Sequence, residues 1–389
     1  MGVIWDAMNG TCDWGKLGRG WTLAMAIEDL EDEGKATRGK GRGSRFFVLG
    51  RAVWSSLHTL QTANRLYLYL TFLVLLAGTG SDHRLTKWSL KACDEHLGLG
   101  KPRARRALDE LIAGGVVERV EGSSRLTPQY RLPGVSADED PIFLPIQLVT
   151  GFKGEASVLR RVRETGDALI LRMLIDLYGL VEVDATYGVP IEYLRQGADD
   201  ESCTHKLTEA GVYSLWALDL NRDQNAKGDW CAVHREMERR GQEWSPFWDR
   251  VRTLQKIGAL WFEPWLFESA ALDAEPLFPV DFGAAYSRDD GDDVSALSTL
   301  FMRIAEVMTE GREYLLENRG GDIAVPLPLH HQTPALRGVA KLRIEPDSPG
   351  CRLSYGKRLA VLADRRAAYE RLLEDVSCGR FDRPLGAVA

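Results

Sequence analysis

Hydrophobic positions along the chain change period several times, and the changes mark out its elements. Residues 64–77 (NRLYLYLTFLVLLA) are apolar nearly all round, the pattern of a helix buried on every side. Gly78 and Gly80 end that run. A second helix is predicted after Thr86, placed as its N-cap, and runs through 88–96 (WSLKACDEH). Leu97, Gly98, Leu99 and Gly100 then form a turn. A third helix is predicted over 102–113, with Pro102 in its first turn, where the missing N–H is no loss. Its apolar residues Ala104, Ala107, Leu108, Leu111 and Ile112 fall on one stripe at about 100° per residue. Gly114 and Gly115 close it. Two strand-like segments, 116–120 (VVERV) and 125–132 (RLTPQYRL), follow as a hairpin.

The same succession starts again further on. Residues 168–180 (ALILRMLIDLYGL) resemble the first buried helix, and 190–196 (PIEYLRQ) read as a second one. After a long insertion, 246–268 reads as a helix, Gly258 and a strand pair. Between the two cycles lie an acidic link, an apolar stretch (FLPIQLVTG) and a basic helical piece (VLRRVRE). Beyond 270 the pattern gives a helix near 294–317, a proline-rich link (VPLPLHHQTP), a hairpin over 339–355 and a final helix over 356–375. Trp5, Trp14 and Trp21 near the start show no period.

At 389 residues the chain exceeds one ordinary core. The predicted division is 1–45, an N-terminal segment with a glycine-rich basic arm; 46–133, a first folded domain; 134–164, a linker; 165–270, a second domain with an insertion; and 271–389, an acidic C-terminal region. The expected fold class is mainly α with small β-hairpins, α+β. Hydrophobic content of 44% with 27% charged residues fits a soluble globular protein. The strongest apolar run is shorter than the roughly 20 residues that span a bilayer, so no membrane partner is expected. Six scattered cysteines read as free thiols in a reducing cytoplasm.

Charge changes the picture more than composition does. The chain carries −7 overall, yet residues 35–131 hold 17 Lys and Arg against 7 Asp and Glu, a local +10, so the remainder bears −17. Such polarity steers a polyanion to one end and repels it from the other. On the third helix, Arg106 centres the face opposite the apolar stripe, flanked by Arg103 and Arg105, with Lys101 just before. Long basic side chains there suit the major groove, because arginine forks onto guanine O6 and N7. Lys87 and Lys91 on the second helix would grip the backbone it crosses, and Ser123, Ser124 and Arg125 on the hairpin tip would sit near phosphate. Arg38, Lys40 and Arg42 in the arm add to the same basic end. The competing reading is that Asp109 and Glu110, four residues after Arg105 and Arg106, make ordinary i,i+4 pairs on a solvated face.

Helix, helix, glycine-bearing turn, helix and hairpin, centred on LTKWSLKACDEHLGLGKPRARRALDELIAGGVVER, resemble the winged helix-turn-helix domains of bacterial transcription regulators and of plasmid or phage replication initiators. The resemblance implies two winged helices in tandem. It further implies a sequence-specific double-stranded DNA-binding protein, associated with the nucleoid and acting as a dimer. The alternative is a DNA-docking subunit of a larger nucleoprotein complex, whose acidic half binds protein partners. The tryptophan-rich stretch 244–265 is the expected site for a homodimer or protein contact.

Other motifs fall short of chemistry. Residues 34–41 (GKATRGKG) approach a P-loop, but Gly41 replaces the required Ser or Thr and no hydrophobic strand precedes them. Cys203 with His205, and Cys231 with His234, have unusual spacing for a structural zinc site. Asp289, Asp290, Asp292 and Asp293 read as a flexible acidic tip, and the adjacent His330 and His331 lie in the proline-rich link. The expectation is a protein with no cofactor, no metal and no enzymatic activity.

Overall fold

The structure is a computed structural model that describes residues 5–6, 11–12, 46–86, 88–121, 129–135, 141–152, 155–181, 186, 188–190, 204–218, 245–269, 271, 274–280, 291–317, 323–344, 349–383 and 385. It is mixed α+β, with helices joined by small antiparallel sheets. A two-residue ladder pairs β1 (Trp5–Asp6) with β2 (Thr11–Cys12). After β3 (Phe46–Leu49) and α1 (Arg51–Thr59) comes α2 (Arg65–Ala77), in which all but Arg65 and Tyr67 are buried. Asn64 caps α2, its side chain accepting from the Tyr67 amide. At Gly78 the Trp88 ring comes so close that a Cβ there would stand 2.2 Å from Cγ, so only glycine fits.

β4 (Leu85–Thr86) precedes α3 (Leu90–Leu97) and α4 (Lys101–Ala113). The N-cap of α3 is Ser89, not Thr86 as expected. Thr86 is buried in β4 opposite Tyr130, and its hydroxyl accepts from the Trp88 amide at 3.1 Å, so the β-branched residue is spent on the strand. β5 (Glu118–Arg119) and β6 (Tyr130–Arg131) complete an antiparallel sheet of order β4-β6-β5.

The segment expected as a linker holds β7 (Ile142–Pro145), α5 (Gln147–Thr150) and α6 (Val158–Thr165). β7 closes back on β3, and Ile142, Leu144, Leu148, Leu159 and Val162 are buried in the same core as α2. Short apolar pieces joined by polar ones look like a linker in sequence, but each has a place on that core. α7 (Ala168–Tyr178) packs into it as well, against α2.

The second half contains β8 (Val189–Pro190), β9 (Thr204–Ala210), β10 (Tyr213–Leu218), α8 (Ser245–Lys256), β11 (Leu260–Phe267), β12 (Pro276–Pro279), α9 (Gly291–Met308), α10 (Tyr314–Glu317), β13 (Ile323–Pro328), β14 (Ala335–Leu342) and α11 (Pro349–Ser377). Its sheets run β12-β11-β14-β8 and β13-β10-β9. The predicted helix at 190–196 starts instead on β8, and 191–196 lie outside the described residues. The strand pair expected after Gly258 is one long strand, β11, flanked by β12 and β14. The proline-rich link overlaps β13, an edge strand, where proline's missing donor breaks no interior ladder. The hairpin expected over 339–355 is replaced by β14 pairing with two distant strands.

A repeat emerges from this topology. In α7, β8, α8, β11 and β14, the last strand lies between β11 and β8, just as β6 lies between β5 and β4 after α2 and α4. The helix ends close alike. Gly115 donates to the Ile112 carbonyl and Val116 to that of Leu111, both at 3.0 Å; Gly258 donates to Gln255 and Ala259 to Leu254, both at 2.8 Å. Both glycines have positive φ, +69° and +67°. Leu254 thus stands where Leu111 does, and Val251 where Leu108 does; all four are buried. Additional elements inserted into the second unit build their own core around Phe278, Phe301, Val325 and Tyr369.

The two units are joined by a buried polar latch. Trp54 on α1 donates to Asp176 on α7 at 2.8 Å, Arg172 pairs with the same carboxylate at 3.6 Å, and Arg51 donates to the Gly179 carbonyl at 2.7 Å. Beside it, His58 and Tyr69 share a hydrogen bond of 2.6 Å. Burial, then the charges of Arg172 and Arg65, push the His58 imidazolium down to about 3. Burial pushes the Asp176 carboxyl up to about 6, against the pull of Trp54 and Arg172. His58 therefore contributes stability that is complete above pH 6.5 and is lost as pH falls towards 3. Asp176 acts oppositely, adding stability as pH falls from 6 towards 3.8. His58→Gln should remove only the first effect. At about pH 5, relative to about pH 7, the variant should gain about 1–2 kcal/mol over wild type, a figure discounted for partial exposure of the ring. Unfolding curves at the two pH values test this; parallel profiles would refute it.

Candidate nucleic-acid interface

The orientation of α4 is set from beneath. Ala104, Ala107, Leu108 and Leu111 are buried at 3% exposure or less, and the helix packs along α2. Every other direction being fixed by that stripe, Lys101, Arg103, Arg105 and Arg106 are left on the exposed side. α3 and α4 meet at a turn in which Gly98 adopts φ +63°, the left-handed conformation that closes α3.

The arginines have neighbours, as the solvated-face reading expects. Arg105 lies 4.0 Å from Asp109 and Arg106 lies 3.4 Å from Glu110, while Arg103 stands 5.5 Å from the centroid of the Tyr67 ring. Lys91 pairs with Glu95 at 2.9 Å; that hydrogen bond and charge raise the lysine's pKa and keep it cationic. The Arg105–Asp109 and Lys91–Glu95 pairs are exposed and contribute about 0–1 kcal/mol each, so a phosphate can displace those two carboxylates at little cost. Lys87, Ser123, Ser124, Arg125, Arg38, Lys40 and Arg42 lie outside the described residues.

Glu110 differs from Asp109. Besides Arg106 it accepts from the Thr62 hydroxyl and from the Ala63 amide at 3.3 Å, pinning the loop before α2 onto α4. Nothing local in the sequence marks this, since Thr62 lies 48 residues away. A second group went unplaced by sequence: the arginines of α6. Arg163 donates to the Gly98 carbonyl at 3.0 Å, and Arg161 to the Ile257 carbonyl at 2.9 Å. The run VLRRVRE advertises a basic helix but not the turns it meets.

The tryptophan-rich stretch is partly interior. Trp265 is 4% exposed, donates to Glu263 at 2.8 Å and lies beneath the Lys341 ammonium, which pairs with Glu263 at 3.0 Å. Trp265 is surrounded by this chain's own residues. Trp244 lies outside the described residues. On α8, Arg250 is held by Asp167 at 2.8 Å and Arg252 by Asp249 at 3.3 Å. Among the described residues no group of three or more His, Cys, Asp or Glu could hold a metal ion, and no helix is long and apolar enough to cross a membrane. His205 lies on β9 and His330 and His331 in the turn after β13; Cys203, Cys231, His234, Asp289 and Asp290 lie outside the described residues, while Asp292 and Asp293 fall in the first turn of α9.

Glu110→Ala should cost about 1–3 kcal/mol, because the Thr62 hydroxyl and Ala63 amide lose their acceptor. Asp109→Ala should stay within about 0.5 kcal/mol of wild type. Chemical denaturation of both variants checks the contrast, and equal effects would contradict it. Comparison with protein-family models, with curated proteins and with solved structures finds no match to this chain.

Proposed function

We propose that this protein binds double-stranded DNA sequence-specifically through α4, as a transcription regulator or replication initiator. The observation that carries the reading is the four-cation face of Lys101, Arg103, Arg105 and Arg106, held outward by a buried stripe on the helix that follows a glycine turn. The helices α2, α3 and α4 with the sheet β4-β6-β5 support a winged helix. The topological repeat supports a second one in tandem. At its α8, however, Pro246, Trp248 and Asp249 occupy the places of Arg103, Arg105 and Arg106, by the alignment that matches Leu254 with Leu111. The second unit on this reading is scaffold, not a second reading head. That favours, as the alternative role, a DNA-docking subunit whose acidic remainder, at −17, meets protein partners.

Binding to duplex DNA should fall about hundredfold or more between 50 and 200 mM salt, as expected for several phosphate contacts. Arg103→Ala and Arg106→Ala should each weaken binding to the target site by about 1–3 kcal/mol. Fluorescence anisotropy across a salt series measures both. Affinity indifferent to salt, or unaffected by either variant, would sink the DNA reading.

The one-head reading has its own check in the same assay. Arg252→Ala and Lys256→Ala on α8 should leave affinity within about twofold of wild type. Losses as large as those on α4 would make α8 a second reading head.

A further inference from the structure

α6 is short and strongly basic, and its arginines divide their attention. Arg161 turns to the second unit, donating to the Ile257 carbonyl and pairing with Glu155 at 3.2 Å. Arg160 and Arg163 turn to the first. A Cβ on Gly98 would lie 3.7 Å from Arg163 Nη2 and 3.9 Å from Arg160 Cζ, so both guanidiniums stand against the α3–α4 turn. Arg163 is spent there: it is 20% exposed and holds the Gly98 carbonyl. Arg160 is 45% exposed and contacts only Glu164, at 3.6 Å, among the described ion pairs. Glu164 also serves Arg163, at 3.3 Å, so one carboxylate faces two guanidiniums.

The turn leads directly into α4. From Gly98 to Lys101 is three residues, a span of at most about 11 Å. That upper limit is about the axial rise of three phosphates along one DNA strand, at roughly 3.4 Å each. Arg160 is therefore within one short stretch of backbone of the α4 cations, although it comes from an element outside the winged-helix pattern. α6 packs against α3, and Ser157 reaches the His96 carbonyl at 3.4 Å, so the position of Arg160 beside the turn is fixed by packing.

We infer that the DNA-facing surface extends from α4 across the glycine turn onto α6, with Arg160 as a phosphate contact and Arg163 as the positioning residue that holds the turn; this rests on the DNA-binding reading of α4. A phosphate contact acts through charge alone. It carries no base information and tolerates lysine, whereas a residue reading guanine through a fork does not.

The experiment uses the full chain and a mixed-sequence DNA duplex in a salt series. Arg160→Ala should reduce the slope of log affinity against log salt by about 0.9 and weaken low-salt binding by about three- to tenfold. Arg160→Lys should keep the wild-type slope, and Glu164→Gln, which removes the competing carboxylate, should tighten binding. Thermal unfolding of Arg160→Ala should match wild type, which separates lost contact from lost structure. If Arg103→Ala and Arg106→Ala weaken binding while Arg160→Ala and Arg160→Glu bind with the wild-type slope, this inference fails and the α4 reading stands. If wild type shows no salt-dependent binding, both fall.

Discussion

Burial of α2 is the constraint on which the rest of the structure depends. A helix apolar around its whole circumference offers no face to water, so neighbouring elements must cover it on all sides. β3, α3, α4, α6 and α7 do so, contributing Leu49, Cys93, Leu97, Leu108, Leu111, Leu159 and Leu174 to one core. The orientation of the basic face is a by-product of that demand. Burying each leucine of α4 contributes roughly 1.5–3 kcal/mol, while its exposed ion pairs contribute about 0–1 kcal/mol each. Packing beneath the helix decides which way the arginines point, and their carboxylate neighbours only trim the positions.

The core also joins the two topological units. Leucines of α2 and α7 meet in it, and the latch of Trp54, Asp176 and Arg172 sits at the same junction. A buried carboxylate is expensive unless its oxygens are satisfied, and here the indole N–H and the guanidinium meet them. The arrangement registers α1 against α7 more sharply than apolar contact alone, which slides easily. α6 supplies a second tie from the outside, one arginine on each unit's turn.

The difference between the units follows the charge division of the chain. The first has a basic exposed helix, and the sequence stretch 35–131 that contains it carries +10; the rest of the chain carries −17. In the second, Arg250 of α8 is held by Asp167 at 2.8 Å in a half-buried pair, and its sheet is built into the interior through Glu263, Trp265 and Lys341. Insertion of β9, β10, β12, α9 and β13 into the second unit converts a small sheet into part of a larger framework.

Much of the first unit was legible because its signals are local. The all-round apolar run, the stripe on α4, Pro102 and the paired glycines each act within a helical turn or two, and such signals survive whatever surrounds them. The likeness of Gly258 to Gly115 could be glimpsed for the same reason. The N-cap of α3 was misplaced by three residues because Thr86 suits a cap and a strand equally, and only its cross-strand partner Tyr130 decides. The supposed linker, the strand within the proline-rich segment and the insertion of β14 between β11 and β8 required partners far along the chain. The same holds for Glu110 with Thr62, Arg163 with Gly98 and Trp54 with Asp176, which lie 48, 65 and 122 residues apart. By itself the sequence determined the helices whose apolar pattern is strongest, 65–77 and 101–113 among them, and where positive charge accumulates along the chain, since propensity, periodicity and charge are properties of neighbours. Tertiary structure alone decided which elements share a core and which cations stand beside the α4 face, because distant partners are chosen by the burial of surfaces that meet only after the chain has folded.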